Sequence, residues 1–84
     1  MSQENTSLFS VQELDTEMTR VTLKEVYKAL EERGYNAYNQ IVGYLMSGDP
    51  GYISNHKEAR KKLLQFERTQ ILEVLVTKFL KWDI

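Results

Sequence analysis

VTLKEVYKALEERGYNAYNQIVGYLMSGDPG, residues 21–51, holds two amphipathic helices and the stops that separate them. Leu23, Val26, Tyr27 and Leu30 recur at the three- and four-residue spacing that lines one face of a helix. Lys24, Lys28, Glu31 and Glu32 occupy the other face. Thr22 and Glu25 have the spacing of a capping box, but Met18 and Val21 extend the apolar stripe backwards and favour an earlier start. Gly34 supplies the left-handed residue that closes such a helix, and Asn36 offers a side-chain oxygen to begin the next. The second helix is predicted from Ala37 to Met46, with Ala37, Ile41, Tyr44 and Leu45 facing inward and Gly48 as its stop. A mid-helix glycine costs about 1 kcal/mol against alanine, so Gly43 points to close packing by another backbone. Ser47 to Gly51 reads as a turn around Pro50, with Tyr52 and Ile53 tacking it to the core.

Towards the C-terminus, Ser54 or Asn55 can cap a third helix in which Ala59, Leu63 and Phe66 repeat at helical spacing. The apolar phase slips after Phe66, which places a kink near Arg68 and makes Thr69 the cap of a fourth helix. Ile71, Leu72, Leu75, Val76, Phe79 and Leu80 form its stripe, and Trp82 follows closely. Towards the N-terminus, residues 1–15 are polar with scattered Leu8, Phe9, Val11 and Leu14 and no sustained period. They read as a flexible arm that Leu8 and Phe9 could dock loosely. The expected fold is mainly α: a compact bundle of about four helices over residues 16–84, behind an arm of residues 1–15.

The chain of 84 residues has room for one hydrophobic core. Cysteine is absent and His56 is the single histidine, so disulfides, thiolate metal sites and histidine clusters are excluded. Stability then comes from packing or from a partner subunit. Five Tyr, three Phe and Trp82 are a large aromatic load for this length, and this points to a homodimer. Eleven basic and twelve acidic side chains nearly cancel, leaving no global field to draw in nucleic acid or anionic lipid. The opening residues lack a basic segment followed by an apolar run, and no stretch has membrane-spanning length, so the expected location is the cytoplasm.

No nucleophile with its base, paired acid and base, metal set or phosphate loop is visible, and no cofactor is expected. His56 lies beside Lys57, Glu58 and Arg60, where a solvated histidine is the plainer reading than a catalytic one. Gly48 and Gly51 lack the lysine and hydroxyl ending of a phosphate-binding loop. The sharpest charge feature is His56-Lys57-Glu58-Ala59-Arg60-Lys61-Lys62, with four cations within two predicted helical turns. It is either a solvated face balanced by Glu58 and Glu67 or a receiver for an acidic partner, a phosphate group or nucleic acid. A helix-turn-helix nucleic-acid binder is the alternative function, set back by the long Gly48–Ser54 connection and the slightly acidic charge.

The sequence from Ala29 to Asn36, Asn39 to Leu45 and Ser47 to Pro50 resembles the IreB/ReoM family. The likeness continues through Tyr52-Ile53, His56, Ala59-Arg60, Glu67-Arg68 and Ile71 to Leu80, covering roughly residues 20–80. Amphipathicity alone does not generate such a run of unrelated polar, glycine and aromatic identities. The resemblance implies a small helical homodimer without catalytic activity, phosphorylated by a membrane Ser/Thr kinase that senses the cell wall. It further implies that the unphosphorylated form directs proteolysis of an early peptidoglycan-synthesis enzyme through a Clp protease, and that phosphorylation relieves this. The implied partners are the kinase and a Clp adaptor or substrate protein. By position after an acidic residue and before a Phe, the resemblance implies Thr6 as the phosphorylated residue, with Ser2, Ser7 and Ser10 as chemically eligible neighbours. Partner binding is expected on the basic segment, at His56, Lys57, Arg60, Lys61 and Arg68.

The chain also departs from the family. Asn36-Ala37 stands for the usual Asn-Pro, and alanine equally suits a first helical turn. Asn55, Leu64 and Gln65 stand where relatives tend to carry arginine, whose planar fork they do not replace, and Thr69 replaces an acidic helix start.

Overall fold

The computed structural model describes residues 11–82, with the side chains of residues 15–81. Thr6, Leu8 and Phe9 lie outside the described residues, as does the Trp82 side chain. Four α-helices occur in this span: α1 (Val11–Glu32), α2 (Ala37–Ser47), α3 (Ala59–Leu63) and α4 (Arg68–Thr77). Three-residue 3-10 turns fill Pro50–Tyr52 and His56–Glu58, and a π-helical turn, Lys78–Trp82, continues α4. No strand is present among the described residues, in agreement with the all-α expectation.

The long helix organises the fold. Its 22 residues extend about 33 Å at 1.5 Å per residue, and α2, α3 and α4 all pack against it. Val26, Ala29 and Leu30 on α1 meet Ala37, Ile41 and Tyr44 on α2, Ile53 in the following loop, Ala59 and Leu63 on α3, and Ile71 on α4. Burying one aliphatic side chain of this kind contributes about 1.5–3 kcal/mol. Thr19 is a buried polar residue of α1, and its Oγ1 donates to the Asp15 carbonyl at 2.8 Å, so the hydroxyl is satisfied.

Residues 11–15, counted with the arm on sequence grounds, belong to α1. The Thr22 and Glu25 capping box is absent because both residues lie in the helix interior, where the amide hydrogens already have intrahelical acceptors. The predicted stops are present. Gly34 is left-handed, at φ 88°, and the bonds from Gly34 N to Glu31 O (2.9 Å) and Tyr35 N to Leu30 O (3.0 Å) satisfy the last carbonyls of α1. Asn36 accepts from the Asn39 amide at 3.0 Å to start α2, and Gly48, at φ 78°, closes it by donating to Tyr44 O.

At Gly43 the close neighbour is an aromatic ring rather than the expected backbone. A Cβ there would meet the Tyr52 ring, with Cε1 at 2.8 Å. The third helix is also shorter and later than its apolar spacing implied. Lys57 (φ 52°, ψ 34°) and Glu58 (φ 61°, ψ 29°) are consecutive left-handed residues, so the chain cannot run as an α-helix from Ser54 or Asn55 into Ala59. The fourth helix begins at the predicted phase slip, but its cap is Glu67 rather than Thr69. Glu67 and Gln70 form a reciprocal capping box in which the Glu67 amide donates to Gln70 Oε1 at 2.8 Å.

Candidate functional site

The inner faces of the helices are consumed by the core, so what remains for binding is set by apolar residues left outside it. Leu23 and Tyr27 of α1, Tyr38, Ile41, Val42 and Leu45 of α2, and Leu75 of α4 line an open cleft of about 520 Å³. Lys24 and Lys28 stand at its α1 edge, where long aliphatic stems cover apolar surface and ammonium groups reach water. A second hollow of about 380 Å³ adjoins it through the shared Leu45 and is lined by Glu67, Arg68, Thr69 and Leu72. The Tyr27 hydroxyl, hydrogen-bonded to Glu31, is held neutral to higher pH than an ordinary phenol.

The apolar surface continues beyond the cleft on both helices. Tyr38, Val42 and Met46 repeat every four residues along the outside of α2, and Tyr38 and Met46 are 69% and 81% exposed. On α4 only Ile71 and Val74 are buried. Leu72, Leu75, Val76, Phe79 and Leu80 form an exposed stripe, with Phe79 67% exposed. The sequence pattern placed these five positions, with Ile71, on the apolar stripe of the fourth helix. Their period is helical as expected, but no element among the described residues covers them. Monomeric proteins rarely expose contiguous apolar patches beyond a few hundred Å², so this surface is the strongest binding feature among the described residues.

The sequence-predicted basic residues do not form one face. Lys57 Nζ lies 2.7 Å from Glu32 Oε1 at the end of α1, and His56 Nε2 lies 3.6 Å from the same oxygen. Hydrogen bonding and attraction from Lys57, with a smaller contribution from His56, hold the Glu32 carboxyl below its ordinary range. Arg60 turns inward, and its Nε donates to the Ile53 carbonyl at 2.8 Å, anchoring the loop that precedes α3. Lys61 is exposed on α3. Arg68 stands at the C-terminal end of α2, where Nη1 donates to Leu45 O at 2.9 Å and the guanidinium covers Gly48. Two of these five residues, Arg60 and Arg68, therefore fasten one segment of the fold to another.

Sequence reasoning missed the cleft and the role of Glu32, which it left pointing into solvent. Glu32 lies 24 and 25 residues from His56 and Lys57, and local spacing carries no signal for a contact made by the return of the chain. The exposed tyrosines could have marked the cleft, since Tyr27 and Tyr38 exceed what so small a core can enclose. Among the described residues no group of three or more His, Cys, Asp or Glu could hold a metal ion, and no helix is long and apolar enough to cross a membrane.

The long helix, the three shorter helices packed on it and the uncovered cleft define a small all-helical domain with an apolar binding surface. Residues 4–81 match the family model described as IreB regulatory phosphoprotein, and the chain belongs to that family. Its role is thus regulatory, and the family is one of phosphoproteins.

Proposed function

We propose that this chain is a non-catalytic, homodimeric cytoplasmic regulator, phosphorylated on Thr6 by a Ser/Thr kinase, that controls Clp-dependent turnover of an early peptidoglycan-synthesis enzyme through protein–protein binding. The observation that carries the reading is the match to a regulatory phosphoprotein family across nearly the whole chain. The uncovered apolar surface on α1, α2 and α4 supports binding to another protein as the mode of action.

Phosphorylation adds about 1.5 to 2 negative charges to the N-terminal segment. That segment then docks on cations or repels an acidic partner, and both outcomes are electrostatic. In this reading exposed Lys61, with His56 and Lys57 after displacement of Glu32, meets an anionic group. Arg60 and Arg68 contribute chiefly by holding the surface in shape, because each is already bonded to a backbone carbonyl. No observation favours the nucleic-acid alternative: α3, at the position of a recognition helix, has only five residues.

The test is affinity purification of the full chain from cells with active and inactive kinase, with mass spectrometry of the captured proteins and of residues 1–15. The expected result is a phosphate on Thr6 and a Clp adaptor or cell-wall synthesis enzyme retained only by the unphosphorylated form. An unmodified Thr6 beside other filled sites, or a partner set unchanged by the kinase, would overturn the switch.

A further inference from the structure

We infer that residues 55–58 are a two-state joint latched by Glu32: held by Glu32 they make a left-handed turn, and released they wind into the first turn of α3 and bring Lys57 into register with Lys61. This deepens the anionic contact proposed above, in which Lys57 leaves Glu32, but the joint itself is a property of the chain alone.

The local sequence carries a helix start that the fold leaves unused. Asn55-His56-Lys57-Glu58 sets a capping residue three places before a glutamate, the spacing of a capping box. That spacing is put to use elsewhere in the chain: Asn36 accepts from the Asn39 amide, and Glu67 with Gln70 forms the box that opens α4. At 55–58 it is idle. Neither Asn55 nor Glu58 makes a side-chain cap bond, and α3 begins only at Ala59, after Lys57 at φ 52° and Glu58 at φ 61°. Two consecutive left-handed residues that are not glycine are strained, because each Cβ crowds the following carbonyl.

What holds the turn is a long-range contact of modest strength. Lys57 Nζ and His56 Nε2 converge on Glu32 Oε1, and the Lys57 and Glu32 side chains are 59% and 55% exposed. Exposed ion pairs contribute little, so strain and restraint are of similar size and the alternative form is a populated minor state. The joint has fixed ends. The Ser54 amide donates to Gln40 Oε1 at 2.9 Å, Ser54 Oγ accepts from Gln40 Nε2 at 3.1 Å, and Ala59 and Leu63 are buried. The Glu58 amide already donates to Asn55 O at 3.0 Å, so the segment is closed into a turn and release changes its handedness rather than its span.

The change has a consequence for the basic segment. In the latched form Lys57 is taken up by Glu32 and Lys61 stands exposed without it. In the released form the two lysines lie four residues apart on one helix and face the same way. An anionic group that spans both selects the released form, so Glu32 sets how readily the segment presents paired cations.

The test is nitrogen and carbon relaxation dispersion on the labelled full chain, which reads minor states exchanging in microseconds to milliseconds. The wild type is compared with Glu32→Gln, and Asn55→Ala and Lys57→Gly are each added to that variant; all three positions are exposed. Exchange is expected to be confined to residues 55–59, with helical carbon shifts in the minor state. Its population should rise roughly two- to fivefold in Glu32→Gln, and in the wild type at high salt, which screens the same pair. Asn55→Ala should lower it roughly fivefold by removing the latent cap, and Lys57→Gly should lower it by relieving the turn. Flat dispersion with unchanged turn shifts in both wild type and Glu32→Gln would overturn the joint, as would a minor state without helical shifts or a population indifferent to Glu32→Gln and to salt; the regulatory reading would stand. Inorganic phosphate added at constant ionic strength should raise the population further, and no rise would overturn the coupling to an anionic group while leaving the joint in place.

Discussion

Replacing Gly43 by alanine sets two effects of known size against each other. In a helix interior the change from glycine to alanine gains about 1 kcal/mol, because glycine surrenders more backbone freedom on folding. The Cβ added here, however, falls on the Tyr52 ring, with Cε1 at 2.8 Å and Cγ at 3.0 Å, closer than carbon atoms approach without displacement. Cγ is the root of the ring, so rotation about the side chain's outer bonds does not clear it. The loop from Gly48 to Ile53, braced internally by the Gly51 amide donating to Asp49 Oδ1 at 2.8 Å and by Ile53 N donating to Pro50 O at 3.0 Å, and held to the core by buried Ile53, has to shift with it. Overpacking of this kind costs about 1–3 kcal/mol. Gly43→Ala is therefore expected to lower stability by about 1 kcal/mol. The same substitution in a Tyr52→Ala background is expected to raise it by about 1 kcal/mol, since only the helical gain remains. The coupling of about 2 kcal/mol is well above the 0.5 kcal/mol expected of independent sites. In thermal unfolding followed by circular dichroism, each kcal/mol shifts the midpoint by about 4–8 °C for a domain of this size. Protein concentration is held fixed so that association does not enter. An alanine that stabilises equally in both backgrounds would show that Tyr52 does not press on α2.

The remaining expectations concern single contacts. Asn36→Ala removes the acceptor for the Asn39 amide and is expected to cost about 1 kcal/mol in urea unfolding, while Asn36→Asp, which keeps the acceptor, stays near wild type. Glu58→Gly relieves a left-handed backbone at φ 61°, whose strain of about 1–2 kcal/mol exceeds the added unfolded-state entropy of about 0.5–1 kcal/mol. It should stabilise slightly, whereas Lys61→Gly, inside α3, should destabilise by about 1 kcal/mol; the opposite order would refute the strained turn. The Glu32 carboxyl is lowered in the folded chain, so its contribution is present above the ordinary glutamate value near about 4.3 and is lost as pH falls through the folded value. Wild type and Glu32→Gln should therefore converge in stability on acidification; an undiminished difference at acid pH would place the effect elsewhere than the contact with Lys57 and His56.

Much of the fold was legible because its signals are local. The Gly34 and Gly48 stops, the Asn36 cap and the inward positions Val26, Leu30, Ala37, Ile41 and Tyr44 depend on residues within four or five places of one another, and each stands where its chemistry put it, whereas Tyr27 of the same stripe is exposed. The errors fell where a distant segment decides. Apolar spacing through Ala59, Leu63 and Phe66 suggested one continuous third helix, but Arg60 bonded to Ile53 O and Lys57 held by Glu32 fix the chain in a turn that spacing cannot register. The start of α1 failed for a related reason: the stripe before Met18 is interrupted by Thr16, Glu17 and Gln12, and helix continuity there is carried by the backbone rather than by a clean apolar face.

The fourth helix separates what a sequence period determines from what it leaves open. A period of 3.6 states that Leu72, Leu75, Val76 and Phe79 share a side; it does not state whose surface covers that side. In an 84-residue chain the distinction is physical, because one core takes up only the inner positions of α1, α2 and α3, and Ile71 and Val74 are the buried residues that α4 adds. Leu72 and Leu75 border hollows shared with α2, while Val76, Phe79 and Leu80 are more than half exposed. Such exposure makes the single copy prone to non-specific association unless something specific occupies the surface. Leu75, which lines the cleft and belongs to the exposed α4 row, joins the two into one apolar surface, and a specific occupant of that surface would remove the exposure.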